Sequence, residues 1–391
     1  MLSKIEKYVI MFALSWTCII VSQAYGLTSL MPLAEGNMAY MCQLDDGNTI
    51  VLFWIQDWKL FYRISTDHGQ TWSQEVRLTS GAAHWDPTAL QDSSSRLWLL
   101  WTSNRNSTDN GYDLEYMTSV DYGLTWATHG RIVTPDYTSQ RGSLIETDDE
   151  ILVFWGFGRW VTTADAGQTW SGITELVDNA LYNQMLYRAY DNQLWIVGWT
   201  GKDIWAKKSN DSVTWSDPIK ITNNGSARSP AVSPEIGQDR YGNFIVTWNS
   251  QHLDPNNNDL WYAVSFDNGQ TWEPAQRLTQ DKGQDTAPSL ALIDGSLWAV
   301  WNSDRVGYNL IYSFELGPNP WDFNSDGCVD LADYVVFSQQ WSQSCGPGET
   351  CTRADFDKNG RIDLSDLDIF ANHWLKKTPS VVPDEWPKPG R

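Results

Sequence analysis

The chain has 391 residues, with 48 Asp and Glu against 27 Lys and Arg, for a formal net charge of −21. That surplus of acid excludes nucleic acid and anionic membrane surfaces as partners. The length exceeds one average domain, so two or three segments are expected.

In chain order, the first segment is a signal peptide, residues 1–24. Lys4 and Lys7 make a basic start, Tyr8 to Val21 is an apolar run of 14 residues, and Ser22-Gln23-Ala24 offers a small-residue cleavage site after Ala24. The run is too short to span a bilayer and no second one follows, so the mature chain is expected to be secreted, with no membrane span.

Residues 25–316 carry two interleaved repeats. Six short apolar strands end in Trp: Val51–Trp54, Leu97–Trp101, Ile151–Trp155, Leu194–Trp199, Phe244–Trp248 and Leu297–Trp301. Between them run five copies of one signature: Ser65-Thr-Asp-His-Gly-Gln-Thr-Trp72, Ser119-Val-Asp-Tyr-Gly-Leu-Thr-Trp126, Thr163-Ala-Asp-Ala-Gly-Gln-Thr-Trp170, a shortened Ser209-Asn-Asp-Ser-Val-Thr-Trp215, and Ser265-Phe-Asp-Asn-Gly-Gln-Thr-Trp272. Their starts lie 54, 44, 46 and 56 residues apart, and a period near 40 to 50 with strand-like sequence between copies is the mark of a propeller. Asp at the third position accepts backbone N–H bonds in the turn, Gly at the fifth supplies a positive φ, and the closing Trp buries a large ring against the neighbouring sheet. Each repeat reads strand A, turn, strand B ending in Trp, loop, strand C, signature turn, strand D. The sixth stops near Phe314 without a fourth strand, and Leu27–Leu33 is expected to supply it, giving an all-β, closed, six-bladed β-propeller. Most of the 24 Trp and 16 Tyr are expected to pack within the blades, a minority to face a ligand.

The signature resembles the Asp-box, or BNR repeat, of sialidase-like propellers, over about Gly26 to Glu315. Within that superfamily, sialidases carry a Phe/Tyr-Arg-Ile-Pro motif, an arginine triad and a Tyr nucleophile paired with Glu. The first blade here reads Asn37-Met-Ala-Tyr-Met-Cys42 and has no arginine, so the resemblance implies the fold without a typical sialidase site.

After a linker at 317–320 the pattern changes. Asp322-Phe-Asn-Ser-Asp-Gly-Cys-Val-Asp-Leu-Ala-Asp333 and Asp355-Phe-Asp-Lys-Asn-Gly-Arg-Ile-Asp-Leu-Ser-Asp366 start 33 residues apart. Each places oxygen-bearing residues at positions 1, 3, 5, 9 and 12 of a calcium loop and Gly at position 6. The expected ligand sets are Asp322, Asn324, Asp326, Cys328, Asp330 and Asp333, then Asp355, Asp357, Asn359, Arg361, Asp363 and Asp366, for two Ca²⁺ ions. Asp at position 12 and one helix after each loop resemble a dockerin, a small all-α domain over 321–375. The resemblance implies a cohesin-like or cell-surface protein partner, although the Ser-Thr pair that often contacts cohesin is here Leu331-Ala332 and Leu364-Ser365. The tail, 376–391, is Pro-rich and expected to be disordered. Cys328, Cys345 and Cys351 allow one disulfide in three pairings, Cys42 stands alone, and neither Cys nor His has zinc spacing.

Topology places the chemistry. Strand-A starts and B–C loops share one face of the propeller, and the signature turns lie on the other, so the mouth is expected at the strand-A starts. There the candidate catalytic acids are Asp86 and Asp285, and the candidate substrate-binding residues are Trp85, Arg141, Tyr182 and Arg228. A cavity acidic on one side and basic on the other suits an acidic sugar, its carboxylate held by guanidinium groups. Arg105, Arg159 and Arg305 follow their Trp by four residues and suit structural clamps as well as ligand contacts. The expected work is hydrolysis of O-glycosyl bonds in a polysaccharide or acidic glycan, with a lyase also open. The alternative is a non-catalytic glycan-binding propeller.

Overall fold

The computed structural model describes residues 32–104, 112–132, 141–148, 150–156, 158–176, 182–200, 203–223, 232–251, 256–280, 282–307, 309–316, 321, 323, 329–343, 354–357 and 359–374. The signal segment, the tail, Arg105, Arg228, Cys345, Cys351 and, in the first calcium loop, Asp322, Asn324, Asp326 and Cys328 lie outside them.

The described strands form six four-stranded antiparallel sheets. Blade one is Asn37–Gln43, Ile50–Gln56, Lys59–Ser65 and Val76–Arg77. The inner strands of the next five are His84–Gln91, Gly142–Glu146, Tyr182–Arg188, Val232–Gln238 and Asp285–Ile293. The ring closes from the N-terminal side: Ala34–Glu35 pairs with Leu310–Leu316, Ala34 opposite Ile311, and Leu33 N–H donates to the Ile311 carbonyl at 2.8 Å. Closure removes the open edges that a five-and-three-quarter ring would present.

The Trp-ending strands read as almost continuous apolar runs because both faces are buried. In blade one, Ile50, Leu52 and Trp54 pack with Ala291, Val300 and Ile311 of blade six. The alternate residues Val51, Phe53 and Ile55 pack with Leu97, Leu99 and Trp101 of blade two. Four further apolar clusters fill the remaining blade junctions. Blade four departs from the expected repeat. Val197 pairs with Met185 where blade two pairs Leu100 with Thr88, so Gly198 takes the place of the strand Trp. Trp199 is displaced by one residue and only half-buried.

Each signature turn closes on its Asp. Asp67 Oδ1 accepts from Thr71 N–H at 2.8 Å and Oδ2 from the Thr71 hydroxyl at 2.6 Å, while Ser65 Oγ accepts from Gly69 N–H at 2.8 Å. In the shortened copy, which lacks the glycine, Ser212 keeps the positive φ (60°) that the fourth position has in the other copies, and Val213 N–H joins Thr214 N–H in donating to Asp211 Oδ1. These turns meet the first turn of a neighbouring blade on the far face, as where His68 faces Asp294 at 3.0 Å.

Beyond the propeller, α1 (Leu331–Gln339) and α2 (Leu364–Asn372) each start from an Asp N-cap in a capping box, Asp330 with Asp333 and Asp363 with Asp366, at the same φ and ψ of −138° and −161°. Phe337 stacks on Phe370 at 5.3 Å and on Phe356 at 5.9 Å. Trp321 stacks on His373 and meets Tyr241 edge-on at 5.2 Å. Tyr241 lies in the first turn of blade five, which puts this helical pair against the far face. No helix among the described residues is long and apolar enough to cross a membrane.

Candidate active site

The inner strand of a blade is a sheet edge, so its outward N–H groups need no ladder partner and proline is tolerated there. Near the start of five inner strands the register slips, between Asn37 and Tyr40, Trp85 and Thr88, Tyr182 and Met185, Val232 and Glu235, and Thr286 and Ser289. Within four of these bulges one residue takes a positive φ: Met38 (50°), Asp86 (48°), Ser233 (54°) and Ala287 (50°). A bulge bends its strand and re-aims a side chain, at a cost of about 1–3 kcal/mol for each such residue. Blade three starts one residue later, with Gly142 opposite Trp155, so Arg141 falls at the level of Asp86.

Four polar residues from four blades meet beside these strand starts. Arg141 forms an ion pair through Nη2 with Oε1 of Glu235, and the same nitrogen lies 3.5 Å from the Pro288 carbonyl. Glu235 has no exposed surface, and its Oε2 has no hydrogen-bond partner among the described residues. Such an atom is costly to bury and is characteristic of a site that expects a ligand. Asp86 is enclosed on all sides yet keeps part of its surface open, as a residue facing a narrow channel does. Burial raises its carboxyl above the usual range, against the pull of the Arg141 charge and a hydrogen bond from the Arg141 backbone. Burial likewise pushes the Tyr40 phenol up to about 12, with Cys42 adding to the shift and a Thr88 hydrogen bond and Arg141 opposing it. Tyr40 therefore stays a neutral donor at physiological pH.

An aromatic rim stands beside this group. Trp85, directly before Asp86, lies 5.6 Å from Trp58 and 5.0 Å from Tyr112 between ring centres.

Asp285 does a different job from the one its sequence suggests. It has no exposed surface, and Oδ1 accepts from Trp301 Nε1 at 3.1 Å and from Arg305 at 2.9 Å. Its counterpart is His84, which accepts from Trp101 Nε1 at 3.1 Å; both open their inner strands and clamp the strand Trp. Asp285 precedes its proline by three residues and Asp86 by one, so the two aspartates lie at different heights. Arg305 belongs to that clamp, and Arg159 pairs with Glu175 at 2.8 Å.

In blade five the described strand begins at Val232, and Ser233-Pro234-Glu235 is in register with Asp86-Pro87-Thr88; the expected start, Arg228-Ser229-Pro230, lies outside the described residues. Glu235 and Tyr40 were both missed by sequence reasoning. Aligning on Pro234 would have found Glu235, whereas Tyr40 follows Ala39 and has no such marker. The Tyr182 backbone sits at the equivalent strand start of blade four, opposite Trp199.

A second cluster lies in the helical pair. Carboxylate oxygens of Asp355, Asp357 and Asp366 fall within 4.8 Å of one another. Burial raises the carboxyls of Asp355 and Asp366, and repulsion from neighbouring carboxylates, Asp357 among them, adds to the shift. Gly360, with φ of 83°, makes the sharp turn at loop position 6. Oxygen donors that repel one another without a cation fit a hard divalent metal.

The BNR/Asp-box repeat family matches residues 63–74 and 263–274. No curated protein sequence matches the chain. Among solved structures, a protein of unknown function from Dyadobacter fermentans aligns over 73% of this chain and 98% of its own, at 13% identity and a TM-score of 0.55. The intramolecular trans-sialidase of Ruminococcus gnavus covers 74% and 98%, at 12% identity and 0.52. The GH93 α-L-arabinofuranosidase of Fusarium graminearum covers 74% and 95%, at 14% identity and 0.50. The class is thus set: a six-bladed β-propeller with BNR/Asp-box repeats, sialidase-like in fold.

Proposed function

We propose that the protein is a secreted glycoside hydrolase acting on a polysaccharide or glycan at the mouth of the propeller channel. The observation that carries this is the meeting of Asp86, Arg141 and Glu235, with Arg141 bonded to Asp86 through its backbone and to Glu235 through its guanidinium. Asp86, whose acid form burial favours, donates its proton to the glycosidic oxygen as the C–O bond breaks. Water completes the displacement at the sugar carbon, while Glu235, with no exposed surface, fixes the Arg141 guanidinium in the channel wall rather than touching the sugar. Arg141 holds Glu235 through its ion pair and Asp86 through its backbone N–H, and so positions both. Similar propellers are named as a trans-sialidase and an arabinofuranosidase, so the fold is compatible with glycoside chemistry.

The helical pair is proposed as a dockerin-like tether, each loop holding one Ca²⁺: Asp355, Asp357, Asn359, the Arg361 carbonyl, Asp363 and Asp366 in the second, and the matching residues from Asp322 to Asp333 in the first. The ions would neutralise the clustered carboxylates and order the loops. Its place on the far face leaves the mouth open while a protein partner is held.

Reducing-end release from a panel of neutral and acidic polysaccharides tests the catalytic reading. Asp86→Asn is expected to lower turnover by about 10²–10⁴ with the melting temperature unchanged. Full activity in this variant would remove Asp86 from catalysis.

A further inference from the structure

We infer that the mouth binds a neutral glycan, with a sugar ring seated on an aromatic platform made by Trp58, Trp85 and Tyr112. This rests on the mouth being the glycan site proposed above, and it changes the substrate class that the sequence suggested.

The first observation is electrostatic. An acidic sugar needs a guanidinium group for its carboxylate, and Arg141 is already ion-paired with Glu235 in the channel wall. Asp86 in its acid form is neutral, so among the described residues at this depth Glu235 and Arg141 cancel and no positive charge is left over for a substrate carboxylate, in a chain whose net charge is −21. A substrate carboxylate would have to displace Glu235 and leave a fully buried carboxylate without its partner, which is strongly unfavourable. A neutral sugar meets no such penalty and leaves the buried Arg141–Glu235 pair intact.

The second observation is conformational. Asp57 and Trp58 form the two-residue turn between Ile50–Gln56 and Lys59–Ser65, with Gln56 opposite Lys59. Both have positive φ, 49° and 62°. That turn prefers Asn-Gly or Asp-Gly, yet a Trp stands where glycine fits best, and it is 58% exposed. Neither burial nor backbone preference accounts for Trp at this position. The turn is also held rigidly: the Trp58 carbonyl accepts from His84 N–H at 3.1 Å, and Lys59 Nζ donates to the Gly81 and Ala82 carbonyls at 2.9 and 2.8 Å. A pre-organised, exposed indole beside Trp85 and one residue from the acid at 86 is suited to stack on the apolar face of a pyranose or furanose ring.

The test is isothermal titration of the full-length protein with linear arabinan, xylan and galactan as neutral probes, and polygalacturonate and sialyllactose as acidic ones. The wild type is expected to bind at least one neutral probe and neither acidic one. Trp58→Gly relieves the backbone, so its melting temperature should not fall, while affinity drops about tenfold or more. Trp58→Phe should retain part of it. Unchanged affinity in Trp58→Gly overturns the inference, as does preference for an acidic probe or failure to bind any neutral one. The catalytic reading is judged separately by Asp86→Asn. If that variant turns over substrate as the wild type does while binding still depends on Trp58, the platform stands and the hydrolase does not.

Discussion

Asp285 accepts from Trp301 and Arg305 with no surface exposed, and the Arg305 side chain is only 7% exposed. Truncation would strand a buried guanidinium and a buried indole N–H, so Asp285→Ala is expected to cost about 3–5 kcal/mol in denaturant unfolding. Asp86 is the same residue type in different surroundings. Its carboxyl is raised by burial, so the folded chain binds this proton more tightly than the unfolded one. That contribution to stability is complete below the ordinary Asp range, near about 3.9, and declines as pH rises through the raised value. If Asp86 is the proposed acid, turnover should fall over the same raised interval. In Asp86→Asn the step in melting temperature should vanish. Sialic acid should not be released at a useful rate, since blade one supplies no arginine and Arg141 is engaged by Glu235.

At the level of single elements, the Asp-box turns show how local chemistry reaches stability. The carboxyls of Asp67, Asp121 and Asp165 lie below the usual range, the last at about 2, chiefly because the Thr hydroxyl four residues on donates to each. A folded-state pKa held below the unfolded one stabilises the fold above the unfolded value, and that gain is lost as pH falls from about 4 toward 2. Thr169→Val should flatten the melting-temperature profile across that interval, measured by circular dichroism, and an unaltered profile would show that the turn contributes nothing to acid stability. Such turns are legible because all their partners lie within five residues. The six-blade count is legible for the same reason, since each Trp strand announces itself. Strand register is not local: the one-residue displacement of Trp199 is set by pairing of Met185 with Val197. Glu235 was hidden because Pro230 and Pro234 both offer a strand start and only inter-strand pairing chooses between them. The channel group draws single residues from four blades, Tyr40, Asp86, Arg141 and Glu235, so no window of sequence contains it.

On the scale of the molecule, two faces carry two kinds of work. Inner-strand bulges and the Trp58 turn gather polar and aromatic groups at the mouth, while the signature turns and the helical pair occupy the far side, where Trp321 meets Tyr241. Calorimetric titration of the full chain with Ca²⁺ should show two sites, and Asp355→Ala should remove one; absence of any calcium heat would dissolve the proposed tether. The outer strands of blades three and four also frame a groove of about 450 Å³, lined in part by Trp160, Lys207 and Trp215, so where a glycan binds separates the two sites cleanly. The most direct measurement is a crystal structure of Asp86→Asn soaked with the neutral oligosaccharide it binds. The sugar is expected at the mouth, one ring against Trp58 and Trp85 and its glycosidic oxygen within hydrogen-bond reach of the side chain at position 86, about 2.6–3.2 Å. A sugar seated instead in the groove beside Trp160 and Trp215, with the channel mouth empty, would contradict it.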